Sequence, residues 1–148
     1  MAKIYRIGTG ARSVNLVFRV MTRLGLGKSY RHVLTVRGRK TGELRSTPID
    51  IMQHGDQRWL VAAYGVTNWV RNARAAGEVQ IARGRYRDTL RVAELAPEDS
   101  VPVLRQYLRE VPITRAYFDV TPDSTDEQFA AEAPRHPVFR LISSTPHP

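Results

Sequence analysis

The residues best equipped for chemistry in this 148-residue chain lie in the stretch VRGRKTGELRSTPI, from Val36 to Ile49. Between Arg37 and Arg45 it places four cations, two glycines and one acid, and then runs into an apolar, strand-like segment. Glycines at 38 and 42 allow a tight turn that exposes backbone N–H groups, and a run of such groups can form an anion nest. Arg39, Lys40 and Arg45 add positive charge, and a guanidinium fork matches phosphate geometry. The hydroxyls of Thr41, Ser46 and Thr47 offer further donors. This suits a phosphate or several carboxylates, although a ligand-free cationic hairpin turn would have the same composition. The pattern is neither GxxxxGK[ST] nor GxGxxG before a helix, so neither a Walker loop nor ordinary dinucleotide binding is supported. A second cluster is NWVRNARAAG, with Asn68, Trp69 and Asn72 at the start of a short helix. A helix N-terminus favours anionic or carbonyl groups. Trp69 offers a flat face and Asn72 an amide; the plainer reading is an N-cap with a core tryptophan.

Composition narrows the chemistry. There is no cysteine, and the four histidines (His32, His54, His136 and His147) are scattered without ligand spacing, so no metal site is expected. No triad is evident. The formal net charge is +9. It is concentrated in the N-terminal third, where residues 12–45 carry nine cations and one acid. Such a concentration implies a negative partner, or else drift toward arginine. Nucleic acid is not expected, because only Phe18 and Tyr30 accompany the cations and no stacking platform results. No apolar run is long enough to span a membrane, and the N-terminus lacks a signal-type apolar core. The expected location is the cytoplasm.

The elements that must position these residues are read from periodicity. Val14, Val17, Phe18, Met21 and Leu24 follow helical spacing, giving a basic amphipathic helix. It either packs on the domain or lies against the inner membrane face. Strands are expected at 33–36, at 44–53 with Pro48 marking an edge or bulge, and at 58–64. A helix over 69–76 closes at Gly77. Residues 78–83 and 86–95 alternate around Gly84 as a hairpin. A helix begins at Pro97 and stops at Pro112, with a further helical turn over 113–118. The acidic, proline-bearing stretch 121–137 reads as a loop or lid, and 136–144 as a closing strand. The expected architecture is mainly β with helices (α+β): one domain over 1–148, a six-stranded Greek-key barrel with flanking helices. Its parts are an N-terminal helix (1–28), barrel strands bearing the motifs (29–95), and a helix, acidic loop and closing strand (96–148).

As a set, GRKTG-x-x-R-S-T-P, then a strand ending Ala-Ala-Tyr-Gly, then N-W-x-x-N-x-x-A resemble the actinobacterial deazaflavin-dependent nitroreductase family, over roughly residues 30–95. The resemblance implies a split β-barrel and coenzyme F-420, a deazaflavin with a phosphate and an oligoglutamate tail; FMN is the alternative ligand, bound with or without catalysis. It implies hydride transfer to a quinone, nitroaromatic, enone or similar small acceptor. By the family pattern Arg39, Lys40, Thr41 and Arg45 would hold the phosphate and tail, and Ser46, Thr47, Pro48, Ile49 and Ile51 would run along the ring. Val61, Ala62, Ala63 and Tyr64 would approach it closely, and Asn68, Trp69, Val70, Arg71 and Asn72 would cover the rest. Position 64 is tyrosine where nitroreductases of the family often carry lysine. Hydride transfer asks mainly for placement of the cofactor. Tyr64, Tyr117 and Tyr107 are candidate proton donors, with Tyr64 and Tyr117 preferred, and residues 98–137 form the acceptor-side wall. An open barrel edge would also permit a homodimer.

Overall fold

Two-residue alternation runs through residues 31–61 and 78–94, and it builds a sheet that closes on itself. The computed structural model describes residues 31–143, so the amphipathic helix expected over 12–24 lies outside the described residues. Six strands form: β1 (Arg31–Arg37), β2 (Leu44–His54), β3 (Gln57–Val61), β4 (Glu78–Arg83), β5 (Tyr86–Glu94) and β6 (Val138–Ser143). They are antiparallel throughout, in the closed order β1-β2-β3-β6-β5-β4, with β4 returning to β1. Helix α1 (Asn68–Ala76) carries the chain from β3 to β4. Helices α2 (Pro97–Glu110) and α3 (Asp126–Glu132), with 3-10 turns at Pro112–Tyr117 and Ala133–Arg135, fill the span between β5 and β6.

Alternation divides the apolar residues between two cores. Leu34, Val36, Ile49, Ile51, Leu60, Val79, Ile81, Leu90, Phe139 and Leu141 fill the barrel, and Val70 and Ala73 of α1 plug one end. Met52, Trp59, Val61 and Val138 face outward instead and are covered by Val101, Leu104, Tyr107 and Leu108 of α2 and Phe129 of α3. Each fully buried side chain of this kind stabilises the fold by roughly 1.5–3 kcal/mol.

Pro48 sits opposite Val33, in the part of β2 that pairs with β1; pairing with β3 begins only at Ile51. Pro48 is thus unpaired on the β3 side, which is the edge-like setting expected of a strand proline. The barrel closes, but among the described residues 44–50 of β2 pair with β1 alone, so an edge remains along that half of the strand. Among the described residues no helix is long and apolar enough to cross a membrane.

Two expectations are corrected. The strand expected over 58–64 stops at Val61. The stretch 121–137 is largely ordered structure. Thr125 and Gln128 form a reciprocal capping box, with bonds of 3.2 and 2.8 Å. That motif satisfies two end donors of α3, and Phe129 anchors the helix with no exposure.

Candidate active site

The cationic turn between β1 and β2 is self-bonded. Gly38 N–H donates to Glu43 O at 2.7 Å and Gly42 N–H to Gly38 O at 2.9 Å. Glu43 N–H donates to Thr41 Oγ1 at 3.2 Å. The guanidinium of Arg37 braces the turn by donating to Gly42 O at 2.7 Å. A run of free amides is therefore not what the turn offers. It presents side chains: Arg39, Lys40, Thr41 and Arg45 are all exposed, and Arg45 meets Glu43 at 3.3 Å.

The turn and α1 meet at one atom. Asn72 Oδ1 accepts from Arg39 N–H at 3.1 Å and from Arg39 Nη1 at 2.8 Å. Asn72 is 4% exposed, so its carbonyl depends on this pair. Trp69 lies three positions earlier, on the same helical face. It is half-buried, its ring tilted against Phe139 at 5.8 Å. Gly77 ends α1 in the left-handed region at φ 71°. Thr67 precedes α1, and its Oγ1 is buried without a hydrogen-bond partner. Such an atom is costly unless something pairs with it, and a bound carbonyl or ring nitrogen would do so. Thr67 is absent from the residues expected from sequence.

The segment leaving β3 is held by the far end of the chain. Ala62 N–H donates to Pro137 O at 2.9 Å, and Ala62 O lies 3.1 Å from His136 Nδ1. A carbonyl only accepts, so Nδ1 carries a proton. His136 Nε2 lies 3.0 Å from Glu132 Oε1; two bare lone pairs would repel, so one hydrogen is shared between them. Phe118 stacks on the imidazole at 3.8 Å and 18°. Burial is the largest influence on His136 and pushes it below its ordinary range, while the Ala62 carbonyl and Glu132 act upward. Arg135 bridges Glu132 and Asp119 and sits above its ordinary value, first through the Asp119 bond.

The residues expected at the site separate by exposure. Tyr64, Asn68 and Arg71 are exposed; Ser46, Thr47 and Pro48 are half-buried. Ser46 Oγ lies 2.8 Å from Thr35 Oγ1. Ile49, Ile51 and Val70 point into the barrel, and Val61 and Ala63 join the outer core. The side chains of these five are packing residues. Tyr64 and Tyr117 come together edge to face at 4.8 Å, whereas Tyr107 is buried in the outer core. Glu132 and His136 were not expected here. Their i, i+4 spacing was the available signal, hidden inside a stretch read as loop.

Comparisons with known proteins extend this picture. The family described as F420H(2)-dependent quinone reductase matches residues 11–129. No curated protein matches the chain. A solved structure described as a domain-swapped dimer superposes with a TM-score of 0.59 at 18% identity, covering 88% of this chain and 94% of that one. The protein Atu2129 from Agrobacterium tumefaciens, of unknown function, gives 0.59 at 17% identity, covering 97% and 60%. An F420-H2 dependent reductase, FDR-A, gives 0.54 at 18% identity, covering 76% and 94%. Those superpositions establish the split-barrel fold. The family match spans most of the chain and goes further: coenzyme F-420 is the cofactor, and the protein is a deazaflavin-dependent reductase. The chain belongs to the F420H(2)-dependent quinone reductase family.

Proposed function

We propose that the chain delivers hydride from reduced coenzyme F-420 to a small, flat acceptor of the quinone type, at the barrel end closed by α1. The observation that carries this is the pair of hydrogen bonds that Arg39 donates to Asn72 Oδ1, which ties the cationic turn to the tryptophan helix. The residues present suit an anionic, planar cofactor: exposed cations lie on the turn bonded to α1, and the buried, unpartnered Thr67 hydroxyl and the small Ala62, Ala63 and Gly65 lie on the segment leading into α1.

In this reading Arg39, Lys40, Thr41 and Arg45 hold the phosphate and glutamate tail. Ser46, Thr47 and Pro48 border the ring on one side, and Asn68, Trp69 and Arg71 on another. Asn72 and the core residues Ile49, Ile51, Val61 and Val70 set the positions of the rest. The backbone of Ala62 to Tyr64 runs beside the ring. The reduced cofactor supplies a hydride, and a quinone becomes a hydroquinone by taking that hydride and one proton. Tyr64, with Tyr117 against its edge, is the candidate donor of the proton to the quinone oxygen. Holding the two reactants in register is the main contribution of the protein, worth roughly 7–11 kcal/mol in favourable cases. Pairing of two chains is part of the proposal, as one similar structure is described as a dimer.

The test is a fluorescence titration with oxidised coenzyme F-420, with the same coenzyme lacking its glutamates, and with FMN, followed by an acceptor screen and a sizing measurement. The proposal expects quenching, weaker binding without the tail, and quinone-dependent oxidation of the reduced coenzyme. Binding that ignores the ring but collapses with salt in the presence of DNA would point to a nucleic-acid module instead.

A further inference from the structure

We propose that His136 is a positioning residue for hydride transfer: braced by Glu132, its imidazole holds the Ala62 carbonyl and so sets how closely the segment Ala62–Gly65 stands to the bound ring. This rests on the placement of the ring beside that segment.

The β3 ladder ends where Val61 pairs with Val138. Beyond it the chain leaves the sheet, and the backbone polar groups of Ala62, Ala63 and Gly65 fix its path through hydrogen bonds. Ala62 O is the busiest of them, accepting from Gly65 N–H at 3.2 Å as well as from His136. Gly65 O in turn accepts from Thr67 N–H at 2.9 Å, which hands the path on to the start of α1. A shift at Ala62 O is thus a shift of the whole segment. Gly65 adopts φ 93°, a conformation that favours glycine.

The imidazole is itself immobilised. Phe118 covers one face of the ring. Glu132 is 3% exposed and gathers His136, the Asp119 N–H at 3.2 Å and the Arg135 guanidinium. Arg135 then reaches the Asp119 carboxylate at 2.9 Å. Burying such a group of charges is costly, and an apolar cluster of the same volume often stabilises a fold as well or better. A carboxylate–imidazole brace supplies what an apolar cluster cannot, a donor nitrogen at a set place facing a backbone carbonyl.

The test compares His136→Asn with His136→Gln. The asparagine amide nitrogen falls near the place of Nδ1 and keeps a donor for Ala62 O; the glutamine nitrogen falls near Nε2 and does not. Both variants lose the stacked ring, so their melting temperatures drop together. Three quantities are read: amide hydrogen exchange at Ala63 to Gly65 in the ligand-free protein, Kd for oxidised coenzyme F-420, and kcat with menadione as acceptor. In the glutamine variant, exchange at Gly65 rises and kcat falls about tenfold or more, with Kd within about threefold, because small misplacement of reactants has large rate effects. In the asparagine variant, exchange and kcat stay within about threefold of the wild type. Equal loss of kcat in the two variants, or a loss confined to Kd, overturns the proposal. A wild-type protein that fails to bind the coenzyme would overturn the ring placement, a different failure, since exchange reports on the segment alone. If neither variant folds, Phe118→Leu takes their place, because it frees the ring while keeping apolar bulk. Faster exchange at Gly65 accompanied by a lower kcat then supports the proposal, and faster exchange with unchanged kcat overturns it.

Discussion

Asn72→Ala is the sharpest test of the link between the turn and α1. The substitution removes the acceptor of two bonds, one from the Arg39 backbone and one from its guanidinium. A backbone bond contributes about 0.5–1.5 kcal/mol net. The guanidinium bond would be worth more in a dry site, but Arg39 is exposed and water replaces much of it. The sum is about 1–2 kcal/mol, which for a domain of this size lowers Tm by roughly 3–8 °C. Asn72→Asp separates fold from function. Both lost bonds use an acceptor, so a carboxylate restores them, and Tm returns to near the wild-type value. The same carboxylate neutralises Arg39 and repels an anionic cofactor. The penalty sits at the low end of a charge-assisted contact, about 1.5 kcal/mol, or roughly tenfold in Kd. Differential scanning calorimetry and coenzyme fluorescence quenching measure the two effects independently. An aspartate variant that binds coenzyme F-420 as tightly as the wild type would refute an anion site at this turn.

Arg39→Ala with Lys40→Ala should weaken coenzyme binding tens-fold while leaving the melting temperature nearly unchanged, since each lost bond is charge-assisted but exposed; the same quenching titration decides it. Trp69→Ala should lower stability by about 2 kcal/mol, because its half-buried ring packs on Phe139, and should weaken ring binding more than tail binding. Trp69→Phe should recover most of the stability, and recovered coenzyme affinity in that variant would show that the indole has no role of its own. For Gly65→Ala, a Cβ would meet Arg135 O at an ordinary 3.6 Å. Its cost is therefore conformational, about 1–3 kcal/mol at this positive φ, and an unchanged denaturant midpoint would contradict that. Thr125→Ala should cost about 1 kcal/mol through the lost cap of α3, with no change in coenzyme affinity.

Local pattern carried much of the architecture. The hairpin of β4 and β5, the span of α1 up to Gly77 and the start of α2 at Pro97 all follow from alternation, helical spacing and punctuating residues within ten or so positions. The charged turn and the tryptophan helix were visible as motifs for the same reason. What joins them was not, because Arg39 and Asn72 are 33 residues apart and no periodicity links them. The end of β3 was misread because Ala62 and Ala63 continue an apolar run. They leave the sheet only because His136 and Pro137, more than 70 residues away, capture the backbone of Ala62. Helix α3 was missed although Thr125-x-x-Gln128 is a legible capping signal; the surrounding acids and prolines outweighed it.

Strands β2, β3 and β6 are walls common to the two apolar compartments: their alternate side chains, Ile51, Leu60 and Phe139 inward and Met52, Trp59 and Val138 outward, serve both at once. The barrel chamber draws no buried side chain from α2 or α3. The α2 side chains that cover the outer core can therefore vary without touching the barrel lining, whereas Glu132 of α3, which reaches the Ala62 carbonyl through His136, cannot.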